Sequence, residues 1–130
     1  MPVAGEQSPP LGHPAIRVVA MPADTNPNGD IFGGWLVSMM DLAAGTVASK
    51  RCKGRASTIA MDGMVFHRPV GVGDVVSVFA ELSAVGRTSM KIGVAAWRQS
   101  ANGLQNELVT EAVITFVAID HDGRPRAVDE

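Results

Sequence analysis

Ile31-Phe-Gly-Gly-Trp-Leu-Val-Ser-Met-Met-Asp-Leu-Ala-Ala-Gly-Thr-Val-Ala-Ser49 is a nearly uncharged and mostly apolar segment. Asp41 is the only charged residue between Asp30 and Lys50. Leu, Met and Ala favour the α-helix, and the basic residues and glycine of Lys50-Arg-Cys-Lys-Gly54 are typical of a helix C-terminus. We therefore predict a helix over residues 34–50.

The predicted helix is apolar on nearly every side, and such a helix is normally covered by other elements. Strand-like runs with partial two-residue alternation lie before and after it, at residues 15–20, 57–67, 74–82, 89–99 and 107–119. The short connections between them contain glycine, which suits hairpins and tight loops. The order predicts an α+β fold, with an antiparallel five-stranded curved sheet wrapped around one long central helix.

The chain has 130 residues, which is enough for one domain and too few for two ordinary ones. Residues 1–14 contain four prolines and two glycines, so we predict a disordered N-terminal arm there. Residues 15–122 form the predicted domain, and residues 123–130 are expected to be a short, frayed C-terminal tail.

Composition and charge exclude several classes of function. The net charge is −2, so no basic excess is present to bind nucleic acid. The N-terminus lacks the basic start and apolar stretch of a signal peptide, and the glycines and Asp41 in the 31–49 segment argue against a membrane span. A single cysteine, Cys52, fits the reducing cytosol, so we expect a cytoplasmic protein.

The low share of charged residues, 18%, suggests that part of the surface is covered by another subunit. We therefore expect a homo-oligomer. The three histidines lie far apart without metal-ligand spacing, so the sequence predicts no metal site.

Asp41 is the first candidate for chemistry. A carboxylate held away from water must be paired, or must change its protonation, so acids in apolar surroundings often belong to active sites. The alternative is an acid that faces solvent or caps a break in the helix.

Asp24-Thr-Asn-Pro-Asn-Gly-Asp-Ile-Phe-Gly-Gly-Trp35, followed by Met39-Met-Asp41, resembles the hotdog-fold acyl-CoA thioesterases and, among them, the YciA-like group. The resemblance continues in Val85-Gly-Arg-Thr-Ser-Met-Lys-Ile92 and Thr115-Phe-Val-Ala118, so that it covers residues 15–126. It implies a dimer whose two sheets join edge to edge, and commonly a trimer of such dimers. Active sites then lie between the two chains of a dimer.

The resemblance also implies roles for individual residues. Asp41 matches the acid that carries hydrolysis, either as general base or as nucleophile. Asp30 matches a position that holds Asn or Asp in related thioesterases and is expected to assist. Asn28 is a further candidate, although Asn28-Gly29 also suits a plain turn.

The physical chemistry of the helix start supports the same reaction. Hydrolysis of a thioester places negative charge on the carbonyl oxygen, and the free N–H groups of Gly33, Gly34 and Trp35 are predicted donors for it. Glycine also lets a substrate approach the backbone closely. Asp41 follows two turns later on the same helix, where we expect it to activate water.

Coenzyme A would enter as part of the substrate, so no separate cofactor is expected. Its phosphates require cations and polar donors. The family tends to use the stretch that contains Arg87, Thr88, Ser89 and Lys91, and Arg68 is a second candidate.

Asp62 and His67 are two further candidates, and two other functions suit the same fold. Asp62 is another acid among apolar neighbours, and His67 invites a catalytic role, although a histidine at a strand end is usually structural. A hydratase on the same fold would need a histidine near the central helix, and none lies between His13 and His67. A non-catalytic acyl-CoA-binding or regulatory hotdog protein is the alternative hypothesis.

Overall fold

The computed structural model describes residues 9–10, 12–100, 102–103 and 106–129. Its elements are β1 (Ile16–Val19), a short 3-10 turn (Pro22–Asp24), α1 (Gly33–Cys52), β2 (Ala56–Phe66), β3 (Val75–Val85), β4 (Ser89–Gln99) and β5 (Asn106–Ala118). The strands form one antiparallel sheet in the order β1-β3-β4-β5-β2. The predicted α+β hotdog architecture, one long helix against a curved five-stranded sheet, is confirmed.

The α1 helix extends one residue before and two residues after the predicted bounds. Its C-terminus turns at Lys53, which has a left-handed φ of 55° and donates its N–H to the Ser49 carbonyl. Gly54 serves a different purpose, because a side-chain carbon there would lie 2.7 Å from the Arg126 guanidinium. The glycine predicted to end the helix therefore makes room for a tertiary contact.

The core lies between α1 and the inner face of the sheet. The helix buries a stripe of residues at helical spacing: Leu36, Met40, Ala43, Ala44, Ala48 and Cys52. Its alanines let the helix backbone approach the large side chains of the sheet, such as Met90, Ile92 and Ile114, which are fully buried. Burial of each large apolar side chain stabilises the fold by about 1.5–3 kcal/mol.

A single protomer leaves much apolar surface open along one edge of the molecule. β2 is an edge strand of the sheet, and Ile59 and Val65 on it are each 58% exposed. Phe66 at its end and Phe32 before α1 are 46% and 55% exposed. We call Phe32, Ile59, Val65 and Phe66 the β2 edge surface. Long, exposed apolar edges of this kind are usually covered by another chain.

The C-terminal residues differ from the prediction of a frayed tail. Val128 is 4% exposed and donates its N–H to the Arg87 carbonyl. Arg126 donates from Nη2 to the Cys52 carbonyl at 2.8 Å, and Asp129 forms an ion pair with Arg51. Residues 124–129 therefore lie against the end of α1, held by contacts that no local pattern reveals.

The predicted N-terminal arm falls mostly outside the described residues, which include only 9–10 and 12–14 of it. Within the described part of the chain, no helix is long and apolar enough to cross a membrane.

Candidate active site

Asp41 lies in the middle of α1, on the side that faces β2. The Thr58 hydroxyl donates a hydrogen bond to Asp41 Oδ1 over 2.6 Å. The Asp41 side chain is half-buried and has no ion-pair partner in the part of the chain that the structure describes. Its second oxygen, Oδ2, therefore has unused acceptor capacity.

The start of α1 presents two free backbone donors. Among the described residues, the N–H groups of Gly33 and Gly34 have no acceptor. The prediction included Trp35 as a third donor, and this was wrong, because its N–H donates to the Phe32 carbonyl at 3.0 Å. The first turn tightens there, so only the first two amides point freely out of the helix.

The two glycines differ in how closely they are packed. A side-chain carbon at Gly33 would lie 3.7 Å from the Phe66 ring, which is ordinary contact. At Gly34 it would overlap the Phe32 ring. A substitution at Gly34 therefore has to displace Phe32, whereas Gly33 can accept a small side chain.

A cleft of about 300 Å³ opens beside this helix start. Gly33 and Asp30 line it, together with the apolar residues Ile31, Leu36, Phe66, Pro69 and Val70 and with His67 and Arg68. Leu36 and Val70 are almost completely buried, so they form its floor. The cleft has the character of a small-molecule site, mostly apolar with a few polar groups at one side.

Asn28 and Asp30 lie in an exposed turn before α1. The side-chain oxygen of Asn26 accepts the N–H of Asn28 at 2.9 Å and the N–H of Asp30 at 3.2 Å. Gly29 has a φ of 85°, which favours glycine. Asn26 thus shapes the turn that brings Asp30 to the cleft, while Asn28 does not line it.

Comparison with known proteins fits this geometry. The family model described as "Thioesterase superfamily" matches residues 28–103. The acyl-CoA thioester hydrolase YciA of Escherichia coli is 44% identical over 122 residues, covering 92% of each chain. An uncharacterized acyl-CoA thioester hydrolase of Zymomonas mobilis is 53% identical over 116 residues, covering 89% of this chain and 78% of that protein.

A solved structure shows the same likeness. The hexameric thioesterase from Yersinia pestis superposes with a TM-score of 0.87 at 45% identity, covering 93% of this chain and 98% of the other. This chain belongs to the thioesterase superfamily. The predicted resemblance to its YciA-like group is confirmed.

The residues predicted to hold coenzyme A form two sets, which lie at opposite ends of the sheet. One set lies where β4 begins: Arg87, Thr88, Ser89 and Lys91. This set is near the C-terminal end of α1, because the Arg87 carbonyl accepts the Val128 N–H and residues 124–129 lie against that end of the helix. Arg87 and Lys91 are exposed and form no ion pair with any described residue.

Arg68 lies at the opposite end, beside the cleft. Its Nε is 2.7 Å from Glu107 Oε2, and its Nη1 donates to the Leu108 carbonyl at 3.3 Å. Arg98 binds the same carboxylate, and this hydrogen bond, more than the charge of Arg68, holds the pKa of Glu107 below its usual value. Arg68 is thus engaged within the protein and is less available to a phosphate than Arg87.

The two remaining candidates, Asp62 and His67, lie in different parts of the molecule. Asp62 is exposed and lines a groove of about 830 Å³ on the sheet face opposite α1, with Glu81 and Glu111. It is therefore separated by the sheet from the helix that carries Asp41. His67 lines the cleft at the helix start, and its backbone N–H donates to the Val109 carbonyl. The described residues contain no group of three His, Cys, Asp or Glu that could hold a metal ion.

Thr58 is the site residue that the sequence reasoning missed. It precedes an irregularity in the pairing of β2 with β5, between Thr58 and Ala60, and two-residue alternation breaks down there. Its contact with Asp41 joins residues 17 positions apart. β2 also contains Ser57 and Asp62, so polarity alone does not single out Thr58 as the residue that contacts Asp41.

Proposed function

We propose that this protein hydrolyses acyl-CoA thioesters to a carboxylic acid and coenzyme A. The observation that carries the proposal is the Asp41 carboxylate, fixed by Thr58 on a helix whose first two amides are free. The names of the relatives from Escherichia coli and Zymomonas mobilis support the same substrate class.

Asp41 acts as a general base on water in this proposal. The Thr58 hydroxyl donates its hydrogen bond to Oδ1 of Asp41, so Oδ2 is left to accept a proton from water. As the proton leaves, the water oxygen adds to the thioester carbonyl carbon. The tetrahedral intermediate then expels the coenzyme A thiolate, which takes up the proton. Direct attack by Asp41 through a mixed anhydride is the second route. If water then attacks the aspartyl carbonyl of this anhydride, isotopic label from water enters the Asp41 carboxylate, which the general-base route never labels.

The amides of Gly33 and Gly34 stabilise the oxyanion. Donors at a helix N-terminus carry partial positive charge and need no reorganisation when charge develops on the substrate. Asp30, which lines the same cleft, assists by orienting the substrate or water. Asn28 stays a predicted site residue in the adjoining exposed turn.

Each active site needs two chains. Asp41 follows Gly33 by eight residues, which is about 12 Å along a helix. A base and the oxyanion donors must each lie within about 3 Å of reacting atoms, so the two sets within one chain are too far apart for one carbonyl. We propose that Asp41 of one protomer faces the Gly33 and Gly34 amides of its partner.

The β2 edge surface is the proposed contact between the two protomers, because pairing of two β2 edges would cover it. The relative from Yersinia pestis is hexameric, which supports a trimer of such dimers here. The coenzyme A phosphates are assigned to Arg87 and Lys91 with the hydroxyls of Thr88 and Ser89, and Arg68 is a weaker candidate because of its ion pair. No cofactor is required for this chemistry, and the cytoplasm is the proposed compartment.

Asp41→Asn tests the role of the carboxylate. We expect kcat on acyl-CoA substrates to fall by about 10²–10⁴-fold, since an amide cannot accept the proton from water. Asp62→Asn is the matched control, because it neutralises an exposed aspartate on the other face of the sheet. Near-normal turnover by Asp41→Asn would remove Asp41 from this role, and binding without turnover by the wild type would favour an acyl-CoA sensor.

Mixed dimers test the two-chain site. Gly33→Pro removes one donor without a clash, because Phe32 has φ −59° and ψ 127°, as residues before proline do. We expect it to lower kcat by about 10²–10³-fold, while Gly33→Ala keeps the N–H and most activity. Co-expressing Gly33→Pro with Asp41→Asn should restore one intact site per mixed dimer. A mixture as inactive as its parents would show that each site lies within one chain.

A further inference from the structure

Four charged residues form a connected cluster at one end of the sheet. Arg98 donates from Nη1 to Asp74 Oδ2 at 2.7 Å and from Nη2 to Glu107 Oε1 at 2.6 Å. Arg68 binds the other oxygen of Glu107 at 2.7 Å. We call Arg68, Asp74, Arg98 and Glu107 the ionic cluster. It joins residues from the ends of β2, β3, β4 and β5.

The cluster is partly removed from solvent, so its members depend on one another. Asp74 is 6% exposed as a residue, and the Arg98 side chain is 21% exposed. Removing one partner from such a group leaves the others with uncompensated charge. The planar fork of Arg98 reaches two carboxylates at once, which a lysine ammonium cannot match in geometry.

The ionic cluster also holds the loop between β2 and β3. Asp74 Oδ2 accepts the Gly71 N–H at 2.8 Å, and the Asp74 N–H donates to the Gly71 carbonyl at 3.2 Å. Next to Gly71, the Val70 carbonyl accepts the Ile31 N–H at 2.9 Å. The middle of the loop is thereby tied both to Asp74 of the cluster and to the segment before α1.

This loop forms one wall of the cleft at the start of α1. His67, Arg68, Pro69 and Val70 of this loop line the cleft together with Gly33 and Leu36. A shift of the loop would therefore change the width and depth of the cleft directly. The Arg51–Asp129 ion pair at the other end of α1 touches no residue of the cleft.

We propose that the ionic cluster is a positioning device that fixes residues 67–70, which line the cleft, and so determines which acyl chain lengths the enzyme accepts. The inference rests on the proposed thioesterase function, with the acyl chain entering the cleft beside Gly33. The apolar floor of Leu36 and Val70 suits an acyl chain, and Val70 is followed by Gly71, whose N–H binds Asp74 of the cluster.

The test compares kcat/KM on butyryl-, octanoyl- and lauroyl-CoA for the wild type and Arg98→Met. We expect the ratio between long and short substrates to change by about tenfold, because one methylene in an apolar pocket alters discrimination by about 10–200-fold. Arg98→Lys keeps one charge contact and should restore part of the wild-type ratio. Arg51→Met is the matched control, since it breaks an ion pair of the same 2.7 Å length without changing the ratio.

A second measurement does not depend on turnover. Hydrogen exchange at the Gly71 amide should accelerate in Arg98→Met, because its acceptor Asp74 loses its partner. If Arg98→Met does not fold, Glu107→Gln keeps the shape and weakens the same cluster. Unchanged ratios and unchanged exchange would overturn the inference. A wild type that hydrolyses none of the three substrates would instead refute the proposed function, and exchange would still report on the loop.

Discussion

At the scale of single residues, the Asp41–Thr58 pair is the most informative contact. Thr58 contributes a hydroxyl that can donate only one hydrogen, and it donates that hydrogen to Asp41 Oδ1. The contact fixes the direction of the carboxylate and leaves its other oxygen with unused acceptor capacity. We infer that Thr58 is a positioning residue that acts through Asp41.

Thr58→Val tests this role. Valine has the same shape but no hydroxyl, so we expect kcat to fall by about tenfold, as suits the loss of one hydrogen bond to a charged group. KM should change little, because Thr58 is assigned no contact with the substrate. Thr58→Ser, which retains the hydroxyl, should recover most of kcat in steady-state assays. Equal losses in both variants would point to packing instead.

Sequence reasoning selected Asp41 and the two glycines as candidates, but not Thr58, the hydrogen-bond partner of Asp41. Asp41 is conspicuous because its neighbours along the chain are apolar, and Gly33-Gly34 because they precede a helix. Thr58 looks like any strand residue, since its contact depends on how far β2 curls towards α1. Trp35 was wrongly counted as a donor because a tightened first turn cannot be read from residue types.

At the scale of elements, the helix and all five strands could be predicted from the sequence. Apolar composition indicated α1 and alternation indicated the strands, and β4 matches its prediction of 89–99 fully. The 124–129 segment could not be predicted in this way, because it has no periodic pattern. Its order comes from Arg126, whose guanidinium binds the carbonyls of Cys52, Ile119 and Ala127.

The ionic cluster predicts a pH dependence of stability. The hydrogen bond from Arg98 lowers the pKa of Glu107 in the folded state. The contribution of ionised Glu107 to the free energy of unfolding is therefore fully present above the pKa of Glu in the unfolded chain, about 4.3. That contribution is lost as the pH falls through the lower folded pKa. Because the Glu107 side chain is still 26% exposed, we expect less than about 1 kcal/mol from this group.

Urea unfolding at pH values between about 6 and 3 measures this effect. The free energy of unfolding should fall less steeply towards acid in Glu107→Gln than in the wild type. Identical slopes in the two proteins would contradict the assignment of the shift to Glu107.

At the scale of the whole molecule, one protomer is incomplete in two respects. It leaves the β2 edge surface open, and Leu42 on α1 is 59% exposed. It also separates Asp41 from the Gly33 amide by about 12 Å. The proposed dimer would remedy both deficiencies with a single contact. Residue types along one chain can therefore indicate candidate site residues, but not how two chains would bring them together.

Val65→Lys tests the proposed contact. A lysine on β2 would place like charges close together across a two-fold axis, and we expect self-association to weaken by about a hundredfold or more. Sedimentation should show a smaller species, with thioester hydrolysis reduced in parallel and the circular dichroism retained. Val19→Lys is the matched control on β1, the opposite edge strand, where Val19 is 46% exposed. Unaltered sedimentation of Val65→Lys would place the contact elsewhere.

The shielded position of Cys52 has a practical consequence for measuring turnover. It is the chain's one cysteine, it is 3% exposed, and the docked Arg126 covers its carbonyl. Coenzyme A leaves the reaction as a free thiol, so chromogenic disulfide reagents can follow product release with little background from the protein. Slow labelling of Cys52 by the same reagents would then report how often the residues around its thiol, Ser49, Gly54 and Arg55, move apart.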